Sequence, residues 1–401
     1  VSLYGGFAGN EPADYDLSQR DFDNNATILD GQTTQRVLNQ SSDFYTTTYM
    51  DGFTIYRGFS NNSGGGANLR AGMYIKNCKF QSNSSMTTSG GGGGGIYIYG
   101  SNYYMTTIED CVFSGNSSQG DGGAIYCRYA TLNRVIVSSN TANHGCGGIN
   151  AYSSTLNYCD INQNTSTYRD AYSIYQAYCA LNASLSTITN CSITRNNGGR
   201  NNGGVYLGSS CTMKNCIIQN NTSESFSGVY MNSSGNTIYN CLIANNTGAS
   251  CAGVYMNTSS CKVVNCDIVN NAGIGVKGTG TLVNTIVWGN ETNGVPSNID
   301  GSSITATYWA VTGGLQGTGN IILDAENDGG GYFHPKFENP SPAAGVDLTT
   351  ENISYRLTDG SVCVNRGTTE NLEIPEQDLD GNKQSYQIMV FSPKKDRDRK
   401  S

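Results

Sequence analysis

The chain has 401 residues, 51 of them glycine and only 7 proline, and 13% of its residues are charged. Its formal net charge of −8 argues against a nucleic-acid or anionic-membrane partner, because such partners require a concentrated basic surface. No apolar run approaches the length of a transmembrane helix. The chain opens on Val1 in what reads as the middle of a strand, so we expect a fragment or processed form in which no signal peptide is present.

Residues 1–50 hold short apolar runs between glycine and aspartate turns, which predict the first one or two coils of a repeat architecture. Residues 51–290 form the regular repeat. One position recurs in every copy of the repeat, and we call it the marker position; an apolar residue follows two places after it. This alternation is typical of a strand with one inward face, and a period of this length predicts a β-solenoid. The marker position is occupied by Phe53, Cys78, Cys111, Val135, Cys159, Cys191, Cys216, Cys241, Cys266 and Thr285.

Seven of the 14 cysteines share this marker position. A position that also accepts Phe53, Val135 and Thr285 is a packing position, so we interpret these cysteines as buried thiols. Few or no disulfides are expected along the column, because side chains in parallel register orient their Cβ atoms poorly for a bridge. The other seven cysteines are candidates for disulfides with unassigned partners. With no CxxC pair and two histidines, a structural zinc site is not expected.

An asparagine lies five residues after each marker from Cys78 onward, and these asparagines form a second column. Asparagine tolerates left-handed turn geometry, and its side-chain amide can hydrogen-bond from one coil to the next. We therefore interpret the column as structural. Its members are Asn83, Asn116, Asn140, Asn164, Asn196, Asn221, Asn246, Asn271 and Asn290.

We divide the chain into a β-solenoid over residues 1–300, a C-terminal capping or extension segment packed on it over residues 301–392 and a disordered charged tail over residues 393–401. Unequal repeat spacings indicate insertions at 57–74, 84–95 and 165–187, and insertions on a solenoid commonly form its binding face. The six glycines from Gly90 to Gly95 predict a mobile loop or a flat turn.

Two repeated motifs make the resemblance to known families specific. Phe80-Gln-Ser-Asn83 and Phe113-Ser-Gly-Asn116 match an FxxN repeat, and Gly122-Gly-Ala-Ile125 matches GGAI. These repeats resemble the polymorphic outer-membrane proteins of chlamydiae. The chain as a whole resembles secreted β-helix proteins of Bacteroidetes in the pectin-lyase-like superfamily. The resemblance implies an all-β, single-stranded right-handed parallel β-helix of about ten or more coils with an irregular C-terminal extension.

A tyrosine recurs after the inward Ile or Val of many coils, and strand alternation places it on the outer surface. An exposed row of rings would be a platform for the apolar faces of sugars. The alternative is that stacked tyrosines only stabilise the sheet through contacts between neighbouring strands. The candidate ligand-binding residues are Tyr97, Tyr126, Tyr175, Tyr206, Tyr230 and Tyr255.

Enzymes of the resembled superfamily require clustered carboxylates with a base, or paired carboxylates across a sugar-sized gap. The sequence shows no complete set of this kind, and its weak catalytic candidates are Arg128, His144, Arg169 and Asp170. Alternating carboxylates at Asp324, Glu326 and Asp328 are weak calcium candidates, but they lack the later glutamate of a calcium loop, so the sequence favours a solvated turn. No other cofactor is expected.

The sequence therefore favours a non-catalytic, secreted or cell-surface protein, on the outer membrane of a Gram-negative bacterium, that binds glycans or acts as an adhesin. Its partner would be a polysaccharide, a surface glycan, or a protein of a host or neighbouring cell, and we expect a monomer. One alternative is a polysaccharide lyase or glycoside hydrolase acting on acidic polysaccharide, with its site among the 84–95 and 165–187 insertions. The other alternative is a structural spacer.

Overall fold

The computed structural model describes residues 2–43, 45–88, 91–167, 179–312, 317–323, 335–346, 353–358, 360–363 and 366–368. The chain divides into two compact units. Unit 1 comprises Val1–Thr187 and Cys191–Asn201, and unit 2 comprises Ile188–Asn190 and Asn202–Ser401. Both units are built from parallel coils, so the predicted all-β solenoid is confirmed.

One regular coil of unit 1 illustrates the architecture. The chain runs through the strands Val112–Ser114, Ser117–Ser118, Ile125–Arg128 and Ala130–Asn133 before it enters the next coil. Strands equivalent to Ile125–Arg128 stack to form face 1, and those equivalent to Ala130–Asn133 form face 2. Strands equivalent to Val112–Ser114 form face 3, and the two-residue strands form face 4.

In unit 1, strands of neighbouring coils pair in parallel on all four faces. Face 1 contains Leu38–Asn39, Ala67–Leu69, Ile96–Tyr99, Ile125–Arg128, Ile149–Tyr152 and Leu181–Ser184. Face 2 contains Ser2–Tyr4, Thr48–Asp51, Met73–Lys76, Thr106–Glu109, Ala130–Asn133 and Thr155–Asn157. Face 3 contains Thr27–Asp30, Phe53–Tyr56, Lys79–Gln81, Val112–Ser114, Ile136–Ser138, Asp160–Asn162 and Ser192–Thr194. Face 4 contains Phe59–Ser60, Ser84–Ser85, Ser117–Ser118, Thr141–Ala142 and Thr165–Ser166. A 3-10 helix, Leu17–Gln19, follows Asp16, whose side chain accepts a hydrogen bond from the Ser18 N–H.

Unit 2 repeats faces 1 to 3. Face 1 contains Val205–Leu207, Val229–Met231 and Val254–Met256, and face 2 contains Thr212–Lys214, Thr237–Tyr239 and Lys262–Val264. The strand Thr187–Thr189, whose residues are divided between the two units, also belongs to face 2. The long strands Val276–Val283 and Ile299–Thr307 continue both faces. Face 3 contains Ile217–Gln219, Leu242–Ala244, Asp267–Val269, Ile286–Trp288, Ala310–Thr312 and Ile321–Leu323. Two antiparallel pairs complete the unit, Glu291–Thr292 with Val295–Pro296 and Phe337–Asn339 with Ser354–Leu357.

The asparagine column lies inside each unit and forms the predicted ladder. In unit 1 the side-chain amide of Asn140 donates to the side-chain oxygen of Asn164 at 2.9 Å and to the carbonyl of Phe113 at 3.0 Å. Its own oxygen accepts from the backbone N–H and the amide of Asn116. The left-handed conformation belongs to the residue before each ladder position, such as Ser139 with φ 56°. Hydrogen bonding, and not turn geometry, therefore explains the column itself.

The marker cysteines are buried, and neighbouring coils place them in a similar ladder. In unit 1 the Cys78 N–H donates to the Cys111 sulfur at 3.3 Å, and in unit 2 the Cys241 N–H donates to the Cys266 sulfur at 3.4 Å. Each thiol in turn lies near a carbonyl two residues earlier, as Cys111 does at 3.1 Å from Glu109. Cysteine at this position thus packs as a small apolar residue and also receives a backbone N–H that would otherwise be unpaired.

The described part of the glycine run, Gly91 to Gly95, is a buried turn and not a mobile loop. The Gly94 N–H donates to the carbonyl of Gly122 at 3.1 Å. A Cβ atom on Gly94 would lie within 2.3 Å of the Gly123 carbonyl oxygen, so the close approach of successive coils excludes a side chain here.

Candidate functional site

The predicted tyrosines that the structure describes, which are all but Tyr175, point outward on face 1 and form two groups, one in each unit. In unit 1, Tyr97 and Tyr126 occupy one outward row that continues into asparagines on neighbouring strands. In register, this row reads Asn39, Asn68, Tyr97, Tyr126, Asn150 and Asn182. The row of unit 1 is therefore a mixed amide and aromatic surface.

In unit 2 the equivalent row consists of Tyr206, Tyr230 and Tyr255, followed by Lys277. Phe226, on the turn leading into face 1, packs edge-on against Tyr230 and tilted against Tyr255, with both centroid distances 5.0 Å. Lys277 forms an ion pair with Asp300 at 3.1 Å. This group is a compact aromatic cluster that ends at a charged pair.

The geometry of the rings limits what either row can bind. The Tyr97 and Tyr126 rings stack with centroids 5.0 Å apart, and Tyr230 stacks on Tyr206 at 5.3 Å and on Tyr255 at 4.8 Å. Stacking covers both faces of Tyr230 and the facing sides of the other rings, so only ring edges and hydroxyls meet solvent between stacked tyrosines. A sugar therefore has no ring face inside the rows to stack on, and the rows serve sheet stability as their first role.

Arg128 lies beside the unit 1 row and is flanked by two further rings. Its guanidinium carbon is 5.3 Å from the Tyr99 ring centroid and 5.0 Å from that of Tyr152, within cation–π range. Among the residues that the structure describes, no carboxylate pairs with Arg128, and its Nε–H has no hydrogen-bond partner. Burial raises the pKa of the Tyr126 hydroxyl, which therefore remains a hydrogen-bond donor at neutral pH.

Asp121 is partly exposed beside this surface and is held by the loop that carries His144. Its carboxylate accepts hydrogen bonds from the Cys146 N–H at 2.8 Å and from the side-chain amide of Asn150. Burial raises the pKa of Asp121 to about 6, against the lowering effect of these hydrogen bonds. Cys146 also forms a disulfide with Cys179, which fixes the partners of two off-column cysteines.

A second aromatic cluster was missed by the sequence prediction. The six residues 100–105 separate face 1 from face 2 in one coil, whereas in the next coil Tyr129 alone does so. Tyr103 is 84% exposed, and the Tyr104 ring meets the Tyr45 ring edge-on with centroids 5.7 Å apart. We call Tyr45, Tyr103 and Tyr104 the corner cluster. None of its rings stacks face to face with another described ring, so flat ring surfaces meet solvent here.

Two further tyrosines, Tyr49 and Tyr74, point outward from neighbouring strands of face 2. Tyr49 and Tyr74 pair in register, and their rings are tilted with centroids 5.4 Å apart. The Tyr74 hydroxyl donates to the carboxylate of Glu109. The signal for this region was present in the sequence as the 33-residue spacing from Cys78 to Cys111, which contains Tyr103-Tyr104. The prediction assigned that excess length to 84–95 alone.

The other predicted site residues do not assemble into a catalytic centre within the described ranges. His144 lies on the turn between the strand Thr141–Ala142 and Cys146, and Arg128 lies at the end of a face 1 strand. No cluster of three or more His, Cys, Asp or Glu suited to a metal ion occurs among the described residues. The candidates Arg169, Asp170, Tyr175, Asp324, Glu326 and Asp328 lie outside those residues.

The family profile described as "Right handed beta helix region" matches residues 56–226 and 179–334. Together these matches cover more than half of the chain, which therefore belongs to that family. The similarity confirms the predicted right-handed parallel β-helix, while the resemblance to chlamydial repeats and the Bacteroidetes origin stay predictions.

Two solved structures are similar in backbone. Pectate lyase Pel9A is 13% identical with a TM-score of 0.49, and the alignment covers 86% of this chain and 89% of that one. A double mutant of the periplasmic alginate epimerase AlgG is 15% identical with a TM-score of 0.37, covering 70% and 74%. Neither similarity assigns an activity to this chain. No curated protein matches it.

Among the described residues, no helix has the length and apolar character needed to cross a membrane.

Proposed function

We propose that the protein is a non-catalytic, secreted or cell-surface β-helix protein that binds glycans through the outward surface of unit 1. The binding surface would consist of the corner cluster and the face 1 residues around Arg128. The observation that carries this proposal is the exposure of Tyr103 and Tyr45, at 84% and 77%. Tyr103 lies on the loop that follows the face 1 strand Ile96–Tyr99, and Tyr45 contacts Tyr104 of the same loop.

The two parts of this surface offer complementary chemistry. Exposed rings such as Tyr103 remove the apolar face of a sugar from water, and each buried ring contributes a large apolar area. Asn68 and the Tyr126 hydroxyl offer donors and acceptors for sugar hydroxyls. Arg128 adds a cation with no carboxylate partner in the described structure, which suits the carboxylate or sulfate of an acidic glycan.

The enzymatic alternative, a polysaccharide lyase or hydrolase, has one feature in its favour. The raised pKa of Asp121, at about 6, is the kind of shift found in catalytic carboxylates. However, both oxygens of Asp121 already accept hydrogen bonds, from Cys146 and from Asn150, which assigns the carboxylate to anchoring its loop. The binding proposal explains the exposed rings, for which a spacer would have no use.

The test uses the full chain on a glycan array that contains neutral and acidic polysaccharides, with an ultraviolet assay for unsaturated uronate products run in parallel. We expect binding without product formation. Replacing Tyr103 or Tyr104 by Ala should weaken binding by about tenfold each, and Arg128→Gln should weaken binding to acidic glycans only.

The matched control is Tyr158→Asn, which removes another exposed tyrosine of unit 1 at a corner between faces 2 and 3. Tyr158 has a φ of 52°, a conformation that asparagine tolerates. This variant should bind as the wild type does. Loss of binding on Tyr158→Asn but not on Tyr103→Ala would reject the proposed surface, and release of unsaturated product would establish the enzyme instead.

A protein ligand on a host or neighbouring cell is the other partner of this class. It predicts no binding on the array, together with binding to cells that survives removal of their surface glycans. The location outside the cell is tested by fractionation of the source organism.

A further inference from the structure

The C-terminal segment of unit 2 is held against face 3 of that unit. The described residues 335–346, 353–358, 360–363 and 366–368 form this segment, which we call the clasp. Its Phe337 ring packs edge-on against Trp288 of face 3 at 5.9 Å and against Tyr355 within the clasp at 5.4 Å. An aromatic contact therefore joins the clasp to the β-helix.

Three asparagines at the edge of face 3 hydrogen-bond to the clasp. The side-chain amide of Asn245 donates to the Tyr355 hydroxyl at 2.9 Å, and that of Asn270 donates to the Ser341 carbonyl at 2.9 Å. Asn284 both donates to and accepts from the backbone of Thr368, each at 2.8 Å. These contacts place the clasp over the strands Leu242–Ala244, Asp267–Val269 and Ile286–Trp288.

Asp267 lies beneath the clasp in an outward position of face 3. It pairs in register with Leu242 on one side and Ile286 on the other, and all three side chains are buried. Asp267 itself is 0% exposed, and neither of its carboxyl oxygens has a hydrogen-bond partner among the residues that the structure describes. A charged carboxylate in such surroundings is strongly unfavourable, whereas a protonated carboxyl group is tolerated.

The groups around Asp267 do not compensate its charge. The titratable group that faces it from the clasp is the buried thiol of Cys363, whose pKa burial raises to about 12. Burial likewise raises the pKa of the Tyr355 hydroxyl to about 12, so both groups are neutral under ordinary conditions. The charged residues in the described part of the clasp are Lys336, Glu338, Arg356 and Arg366, and Glu338 accepts a hydrogen bond from Ser354. Burial is the cause of the raised pKa of Asp267, and none of these charges offsets it.

We propose that the clasp is a pH-sensitive cover: it docks on face 3 of unit 2 while Asp267 is protonated and is released as Asp267 ionises. Release uncovers the apolar side chains of Leu242, Ile286 and Trp288. The mechanism is independent of glycan binding by unit 1.

The sign of the effect follows from burial, which raises the pKa of Asp267 well above its ordinary value. The docked state therefore binds one proton more than the released state at any pH between the two pKa values. Docking is strongest below the ordinary aspartate range, at about pH 4. Above it, the ratio of released to docked clasp rises by up to about tenfold per pH unit until the raised pKa is passed.

The experiment is hydrogen–deuterium exchange on the full chain from acid to mildly alkaline pH, read on peptides from Phe337–Asn339 and Ser354–Leu357. Wild type and Asp267→Asn are compared at each pH, which cancels the intrinsic pH dependence of exchange. We expect protection of the clasp in the wild type to fall with rising pH and to be retained in Asp267→Asn.

The control is Asp160→Asn, which changes the equivalent outward position on the uncovered face 3 of unit 1 and should behave as wild type. If the asparagine variant does not fold, Asp267→Leu provides the same test with the residue type found at Leu242. Equal protection of the wild type and the folded variant at every pH would overturn the proposal, as would protection that is lost on neutralising Asp267.

Discussion

The inward side of face 3 is apolar and buried in both units. The outward side is partly exposed in unit 1 and mostly buried in unit 2. In unit 1 the outward Ile136 and Asp160 remain partly exposed, as do their neighbours in register. In unit 2 the outward residues of Leu242–Ala244, Asp267–Val269 and Ile286–Trp288 are all buried. The difference shows that alternation within a strand determines the coil, whereas a distant segment of chain determines whether its outer surface is free.

A sheet covered on both faces carries apolar residues at consecutive positions and not only at alternate ones. The strands of unit 2 show this pattern in Leu242-Ile243 and in Ile286-Val287-Trp288. In unit 1 the equivalent strands place polar residues such as Ser114 and Ser138 on the outside. Face 3 of unit 2 is thus a second, smaller core formed with the clasp.

The largest effect we predict concerns a feature that the two units share, the asparagine ladder. Asn140→Ala in unit 1 removes an amide that makes hydrogen bonds to Phe113, Ser138 and Asn164 and accepts two from Asn116. Buried partners left unpaired should lower the free energy of unfolding by about 4 kcal/mol. Urea denaturation measures the loss.

Asn246→Ala in unit 2 should cost a similar amount, because its amide donates to Ile218 and Asn271 with the same geometry. Asn102→Ala is the control, since Asn102 lies exposed in the 100–105 loop. A loss for Asn140→Ala no greater than that for Asn102→Ala would show that the ladder contributes no stability.

The second prediction separates the two units by a matched pair. Ile136 and Ile286 are both the first residue of a face 3 strand. Ile136 is partly exposed, whereas Ile286 is fully buried on the side of face 3 that the clasp covers. Ile286→Ala should lower the free energy of unfolding by about 3 kcal/mol, and Ile136→Ala by less than about 1 kcal/mol. Thermal or urea denaturation of the two variants checks this difference.

Limited proteolysis gives an independent measure of the same pair. Ile286→Ala should speed cleavage within the clasp, and Ile136→Ala should leave the cleavage rate unchanged. Equal costs for the two substitutions would mean that the clasp does not stabilise unit 2, and the contrast between the two faces would lose its energetic meaning.

The coil itself was predictable because its signals are local and repeated. Cys111 and Phe113, two residues apart, identify the inward side of a strand, and both are fully buried. The asparagine ladder follows from the same periodicity, since an asparagine lies five residues after every marker from Cys78 to Thr285, as Asn116 does after Cys111. Repetition lets weak preferences of single residues reinforce one another.

The site was less predictable because it depends on geometry across coils. Alternation places Tyr230 outside, but the covering of its faces by Tyr206 and Tyr255 depends on how rings orient between strands. The corner cluster joins Tyr45 to Tyr104 across a long separation in sequence. The burial of Asp267 requires the clasp, and although consecutive apolar residues in these strands indicate a covered face, they do not identify the distant segment that covers it.

The smallest predicted effect compares two raised carboxyl pKa values, one in each unit. Asp121 in unit 1 has hydrogen-bond partners, and burial raises its pKa to about 6, whereas Asp267 in unit 2 has none in the described structure. Because the folded state favours protonated Asp121, its contribution to stability is greatest below about pH 4 and is lost as pH rises to about 6. The hydrogen bonds and partial exposure of Asp121 limit this loss to about 1 kcal/mol.

Thermal denaturation from pH 4 to pH 7 in an Asp267→Asn background isolates the contribution of Asp121. Adding Asp121→Asn should flatten the remaining dependence of thermal stability on pH. An unchanged slope would assign the pH dependence to groups other than Asp121.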